Sequence, residues 1–140
     1  MGRIPRIKSV MTAFPFSIAP GEDLARAQEM MREHGIRHLP VCEQHNVIGI
    51  LSERDTRVAL RVDAQGVPLT VGDVCTRQPF IVGLETPLDE VAEEMARRQI
   101  GSALVMRGDK LAGILTTTDV CRLLAETLRD CFDSEDDDVA

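Results

Sequence analysis

The chain repeats itself, because a shift of 64 positions without a gap lays its second half on its first. Under this shift Gly49-Ile50-Leu51 falls on Gly113-Ile114-Leu115, and Asp55 falls on Asp119. Each copy is too short to enclose a large hydrophobic core by itself. We therefore expect two related units that bury a face against each other and leave a cleft between them, where ligands commonly bind.

Both copies predict the same order of secondary structure, which is strand, helix, strand, strand, helix. The first copy predicts a strand over 14–18, a helix from Leu24 to a stop at Gly35, strands over 39–42 and 47–51, and a helix from near Asp55. The second copy predicts a helix with Thr86 as its N-cap and Pro87 as its first residue, strands over 103–106 and 111–115, and a helix from near Asp119.

The negative charge of the chain is concentrated at its C-terminus. The formal net charge is −7, and six acidic residues lie in the last eleven positions. The remainder carries 16 basic and 17 acidic residues, so we expect no nucleic-acid partner. Residues 129–140 are predicted to be a solvated acidic tail that is mobile from Asp133 onward; contact with a basic partner is the alternative.

Several function classes lack support in the sequence. The four cysteines show no C-x-x-C spacing and no apolar run follows the N-terminus, which predicts a cytoplasmic protein with reduced thiols. No apolar stretch approaches the roughly 18 residues that span a bilayer, so we expect no membrane partner. We find no metal-ligand cluster, activated nucleophile or Walker-type loop, and we expect neither a metal site nor an enzyme.

Both copies place a hydroxyl three residues before an aspartate, where the last helix of the copy is predicted to begin. The pairs are Ser52 with Asp55 and Thr116 with Asp119. Such an aspartate can accept two hydrogen bonds from the vicinal diol of a ribose, while the hydroxyl and free N–H groups can meet a ribose oxygen or a phosphate. The alternative is that these residues only cap their helices.

The repeat, the order of elements and two motifs resemble the cystathionine-β-synthase (CBS) domain, here as a tandem pair or Bateman module. The motifs are Arg37-His38-Leu39-Pro40-Val41 and Gly-Ile-Leu-Ser-Glu-Arg-Asp at 49–55. The resemblance implies an α/β (α+β) fold of two β-α-β-β-α repeats about a pseudo-twofold axis. CBS domain 1 would occupy 7–65 and CBS domain 2 would occupy 70–128.

The resemblance also implies adenosyl ligands, such as AMP, ADP, ATP or S-adenosylmethionine, in two clefts between the repeats. The first cleft would hold the ribose at Ser52 and Asp55 and the phosphate at Arg37 and His38, with Thr76, Phe80, Ser102 and Ala103 around the base. The second would hold the ribose at Thr116 and Asp119, facing Thr12, Phe16, His38, Leu39 and Pro40.

We favour the first cleft for a nucleotide. Gly101-Ser102 stand in the second copy where the first has Arg37-His38, so the second cleft lacks that cation for a phosphate. A solvated corner at Arg37-His38, and core packing of Phe16 and Phe80, remain the alternatives for these residues.

Two hypotheses of function follow. In the first, the chain is a regulatory sensor that requires no cofactor. An adenosyl ligand shifts the orientation of the repeats, and an unidentified partner protein responds to this shift. In the second, it is a ligand-independent interaction or oligomerisation module. Tandem pairs of this family often form flat homodimers, so we expect a homodimer in either case.

Overall fold

Each repeat contains an antiparallel hairpin followed by a helix, as expected from the sequence. The structure, a computed structural model, describes residues 2–63 and 68–139, with side chains at 2–62 and 68–132. The strands are β1 (Thr12–Ala13), β2 (His38–Glu43), β3 (Asn46–Ser52), β4 (Ile81–Gly83), β5 (Ser102–Arg107) and β6 (Lys110–Thr116). The helices are α1 (Leu24–His34), α2 (Glu53–Asp63), α3 (Val71–Val74), α4 (Leu88–Arg98) and α5 (Thr117–Val139), with a 3₁₀ turn at Ile7–Ser9.

The two hairpins have equivalent registers. Leu39 pairs with Leu51 in the β2–β3 hairpin, and Ala103 pairs with Leu115 in the β5–β6 hairpin. All four of these side chains are buried. Short apolar runs on either side of a polar turn predicted these strands, and the central residues of β2 and β5 are buried in succession.

The segment that precedes each repeat packs into the core of the other repeat. Ile7 is fully buried against α4 and the β5–β6 hairpin, whereas Val71 is fully buried in the core beneath the β2–β3 hairpin. Ile7 and Val71 are equivalent positions under the shift of 64. The repeats therefore exchange their leading segments, and neither core is complete without the other half of the chain.

The exchange extends to the edges of the sheets. Thr12 of β1 pairs with Ile114 of β6, and the equivalent Thr76 exchanges two backbone hydrogen bonds with Ile50 of β3, at 3.0 and 2.9 Å. This pairing places Thr76 beside the carboxyl end of β3, which is the end where α2 begins.

Two hydrophobic cores result, one per repeat. The first contains Ile18, Leu24, Ala27, Met31, Leu39, Val41, Leu51, Ala59, Val71 and Cys75. The second contains Ile7, Leu88, Val91, Met95, Ala103, Val105 and Leu115.

The predicted strand over 14–18 is wrong. Only Ile18 makes a bridge, parallel to Val41, whereas its counterpart β4 is a three-residue strand paired with β5. Phe14 has a φ of 51°, outside the strand region, and Pro15 has no N–H to donate. The backbone therefore cannot remain in a ladder between β1 and Ile18.

The predicted cap of α4 is also wrong, by one residue. The helix begins at Leu88 with Pro87 as N-cap, and no side chain caps it. Instead, the backbone of the N-terminal segment is hydrogen-bonded to the start of this helix. The N–H of Ile7 donates to the Thr86 carbonyl and the N–H of Leu88 donates to the Pro5 carbonyl, both at 2.9 Å. In contrast, α1 spans Leu24–His34 and stops at the C-cap Gly35, whose φ of 62° suits glycine as predicted.

Helix α5 continues through the acidic tail to Val139. The mobility expected for this tail is not tested by the backbone and stays a prediction. Among the described residues, no helix combines the length and the apolar character that crossing a bilayer requires.

Candidate functional site

A cavity of about 520 Å³ lies between the two repeats, where α2 begins. Residues from both halves line it, and they include six of the eight side chains predicted for the first cleft. These six are His38, Ser52, Asp55, Thr76, Phe80 and Ser102.

Ser52 and Asp55 lie at the first turn of α2. The Asp55 N–H donates to Oγ of Ser52 at 3.1 Å, so the serine hydroxyl caps this helix. The Asp55 side chain is exposed, and its carboxylate makes no hydrogen bond or ion pair to any residue that the structure describes. A free carboxylate at the edge of a cavity can accept both hydroxyls of a ribose.

An arginine covers the aromatic ring of the cavity. The Arg98 guanidinium lies 4.7 Å from the centroid of the Phe80 ring. Its Nε also donates to Oε1 of Glu94 at 2.7 Å. Hydrogen bonds, first from Arg97 and to a smaller extent from Arg98, lower the pKa of Glu94 to about 2. The Glu94 carboxylate that binds Arg98 is therefore ionised near neutral pH. Phe80 also packs against the second hydrophobic core, as the core-packing alternative expected, while Arg98 covers its ring and is itself paired with Glu94.

His38 occupies the boundary between the repeats. A Cβ at Gly101 would lie 3.3 Å from its Nε2, so the absence of a side chain at Gly101 makes room for the imidazole. Burial, and secondarily the charge of Arg37, lower the pKa of His38 below its ordinary value of 6.5. The neutral imidazole is therefore the favoured form in the folded protein at neutral pH.

The lowered pKa of His38 predicts a loss of stability in mild acid. As the pH falls below about 6.5, the unfolded chain takes up a proton at this histidine more readily than the folded protein, which favours unfolding. We expect the free energy of unfolding from urea titrations to fall as the pH is lowered through about 6.5, and His38→Gln to lack this component. An equal pH dependence in both proteins would contradict the assignment, and His45→Gln, in an exposed turn, is the matched control.

Two residues predicted for the first cleft lie elsewhere. Arg37 lines an adjacent cavity between α1 and α2 instead of the cavity between the repeats. Ala103 is fully buried in the second core, so its side chain cannot contact a ligand.

The residues of the second cleft are arranged differently. Asp119 accepts from the N–H and the hydroxyl of Thr116 through one oxygen, at 2.8 and 3.0 Å, and its other oxygen lies 3.6 Å from Arg122. The carboxylate that corresponds to the free Asp55 is thus already occupied. Leu39 and Pro40 are fully buried, which removes their side chains from any cleft.

The aromatic residue of the second cleft has a different neighbour. Phe16 stacks on His34, with ring centroids 3.7 Å apart and an interplanar angle of 11°. His34 and Phe16 are equivalent to Arg98 and Phe80 under the shift of 64. Thr12 belongs to β1 and is exposed.

Four polar residues that line the first cavity were not predicted from the sequence. They are Arg54, Gln78, Arg98 and Gln99. Arg54 stands between Ser52 and Asp55 in the motif, which was a usable signal. Gln99 has a φ of 56°, the left-handed conformation that Gly35 adopts at the equivalent position. No group of three or more potential metal ligands occurs among the residues described.

The model of the family described as CBS domain matches the chain twice, at residues 7–61 and 71–126. These matches cover both repeats. The α/β fold class is confirmed by structures of such domain pairs.

The chain is also similar in sequence to individual proteins. Inosine-5'-monophosphate dehydrogenase of Korarchaeum cryptofilum is 31% identical over 118 residues, which are 84% of this chain and 24% of the dehydrogenase. The CBS domain-containing protein YhcV of Bacillus subtilis is 28% identical over 116 residues, 81% of each chain. The chain therefore spans about a quarter of the dehydrogenase and most of YhcV.

One similar solved structure contains bound ligands. The CBS domain pair of protein MJ0100, in complex with 5'-methylthioadenosine and S-adenosyl-L-methionine, superposes with a TM-score of 0.81 at 25% identity. The alignment covers 89% of this chain and 99% of that one.

Proposed function

Because the chain belongs to the CBS domain family, we propose that it is a regulatory module that binds an adenosyl ligand in the cleft between its repeats. The observation that carries this proposal is the free carboxylate of Asp55, which lies beside the capping hydroxyl of Ser52 at the edge of the cavity. The MJ0100 pair, which binds two adenosyl compounds, supports the ligand class.

The ligand would bridge the repeats. Its ribose would lie at Ser52 and Asp55 from the first repeat, and its base beside Phe80 from the second. A ligand that contacts both halves binds more tightly to one relative orientation of them, and so shifts the population toward that orientation. A partner protein would respond to this shift, and the module itself would catalyse no reaction. A cytoplasmic location is part of the proposal, supported by four cysteines that form no disulfide.

A screen of thermal unfolding tests the proposal. AMP, ADP, ATP, NADH and S-adenosylmethionine are each added at about 1 mM, and a ligand at a hundred times its Kd adds roughly 2.7 kcal/mol to the free energy of unfolding. We expect at least one of them to raise the melting temperature by several degrees. No shift with any of the five would contradict ligand sensing.

The second candidate function is a ligand-independent oligomerisation module. It is favoured by apolar side chains on the outer helices, where the exposed fractions are 54% at Val58, 60% at Val62 and 56% at Leu124. Leu128 and Phe132 continue the row on α5 at intervals of four residues, which places all three of its members on one helical face. Light scattering tests this candidate, since a monomer at micromolar concentration would exclude it.

A further inference from the structure

Two outer helices carry exposed apolar side chains in rows. On α2 the row consists of Val58 and Val62, with exposed fractions of 54% and 60%. On α5 it consists of Leu124, Leu128 and Phe132, with exposed fractions of 56%, 47% and 54%. Both rows have intervals of four residues, which keep the side chains on one face of a helix. Such rows are typical of helix faces that pack against another protein.

The charges beside the two rows have opposite signs. Three exposed arginines lie along α2: Arg54, Arg57 and Arg61. Arg57 is paired with Glu53 at 3.3 Å, whereas the other two form no ion pair to any residue that the structure describes. The row on α5 leads into the acidic C-terminus, where five of the six residues from 133 to 138 are acidic. The outer face of α2 is therefore basic, and the segment that ends α5 is acidic.

Further arginines lie beside the start of α2. A cavity of about 740 Å³ between α1 and α2 is lined by Arg32 from α1, Arg37 from the turn before β2, and Arg54 and Arg57 from α2. Glu53 is the one acidic residue in that lining. The basic surface of α2 is therefore widest at the start of the helix.

These charges decide which helices of two copies of the chain can meet. If α2 packed on α2 of a second copy, arginines would face arginines, and if α5 packed on α5, the two acidic ends would face each other. Packing of α2 on α5 brings unlike charges together and buries both apolar rows. A twofold axis makes this contact twice between two copies, so the assembly closes as a dimer.

We propose that the acidic end of α5 from a second copy of the chain binds the basic face of α2, with the two helices antiparallel. This inference rests on the oligomerisation candidate and is independent of adenosyl binding. The antiparallel order follows from the charges, because the arginines are most numerous at the start of α2 while the acidic residues lie at the end of α5. Parallel helices would place the acidic residues at the opposite end of α2 from Arg54 and Arg57.

The spacing of the rows sets the register of this contact. Because both rows have intervals of four residues, they coincide when Phe132 lies opposite Val58. Helix α5 continues through Val139, so the acidic segment follows the same helical path. The next interval of four brings Asp136 to the level of Arg54. The apolar rows thus form the centre of the contact, and the acidic and basic residues meet at its end.

Sedimentation velocity of the full chain and of two charge-reversal variants tests this inference. The variants are Arg54→Glu/Arg57→Glu on α2 and Asp133→Arg/Asp136→Arg on α5. We expect each variant to weaken self-association at least about tenfold, because like charges then face each other. We expect an equimolar mixture of the two variants to associate as strongly as the unaltered protein. Both contacts of the mixed dimer again bring unlike charges together.

The matched control is Glu90→Arg/Glu93→Arg, which makes the same change of charge at exposed positions of α4 and should leave association unchanged. Added salt should weaken association of the unaltered protein, because it screens the attraction. A dimer that neither variant weakens would leave oligomerisation standing and overturn this inference. Failure of the mixture to restore association would also overturn it. A monomer at every concentration would exclude both the inference and the oligomerisation candidate, whereas the thermal screen tests adenosyl binding separately.

Discussion

Replacing Asp55 by alanine is expected to weaken binding of an adenine nucleotide by about 1.5 to 3 kcal/mol, or one to two orders of magnitude in Kd. The carboxylate would accept two charge-assisted hydrogen bonds from the ribose hydroxyls. Among the described residues that line the first cavity, no second carboxylate could replace it. The free energy of unfolding without ligand should change little, because this side chain is exposed and makes no hydrogen bond or ion pair to any described residue.

The equivalent residue Asp119 provides the matched control. Its carboxylate is bonded to Thr116 and lies near Arg122, so Asp119→Ala is expected to cost about 1 kcal/mol of stability while nucleotide affinity at the first cleft is retained. Calorimetric titration and urea denaturation of both variants measure the two effects. If Asp55→Ala lowers stability and leaves affinity unchanged, Asp55 has only a structural role and the first cleft is not the binding site.

Replacing Gly49 by alanine is expected to destabilise the fold by about 3 kcal/mol, the upper end for inserting one methyl group into a packed site. A Cβ at Gly49 would lie 2.6 Å from the carbonyl oxygen of Thr76 and 2.9 Å from Sγ of Cys75. The carbonyl belongs to the exchanged segment and accepts the N–H of Ile50 at 3.0 Å, so it cannot move without breaking the pairing with β3.

Denaturant titrations of Gly49→Ala and of a glycine in an open strand position check this prediction. Gly83 of β4 is a suitable control, since a Cβ there would meet nothing within 4 Å. Because Thr76 also lines the first cavity, Gly49→Ala should weaken ligand binding as well as stability. Equal, small effects of the two variants would show that the exchanged segment packs less closely against β3 than the structure indicates.

Much of the fold follows from local patterns in the sequence. The hairpins were predicted from short apolar runs around a polar turn, and the helices from the helical spacing of apolar residues, because both patterns are local. The two errors, the strand over 14–18 and the N-cap at Thr86, lie where the chain crosses between repeats and where an exchanged segment contacts a helix start, respectively. There the conformation depends on long-range contacts, such as the bonds from Ile7 and Leu88 to the backbone of the other segment.

The candidate site divides in the same way. The motif residues Ser52 and Asp55 could be selected from their spacing, since a hydroxyl and an aspartate three residues apart at a helix start lie in one turn. The partners across the cavity could not be assigned by spacing alone, because they come from the other repeat. Spacing was also insufficient within one repeat: Arg37 adjoins His38 in the sequence, yet His38 lines the cavity between the repeats and Arg37 lines only the adjacent cavity between α1 and α2.

The sequence by itself determined that this protein consists of two related units, each with a hydroxyl and an aspartate three residues apart where a strand leads into a helix. It could do so because periodicity and spacing are local properties that do not depend on how the units are arranged. Only the tertiary structure decided that the leading segments are exchanged, that Asp55 is free while Asp119 is bonded, and that four arginines surround one cavity. These features depend on which surfaces of distant segments meet, and sequence spacing does not specify those long-range contacts.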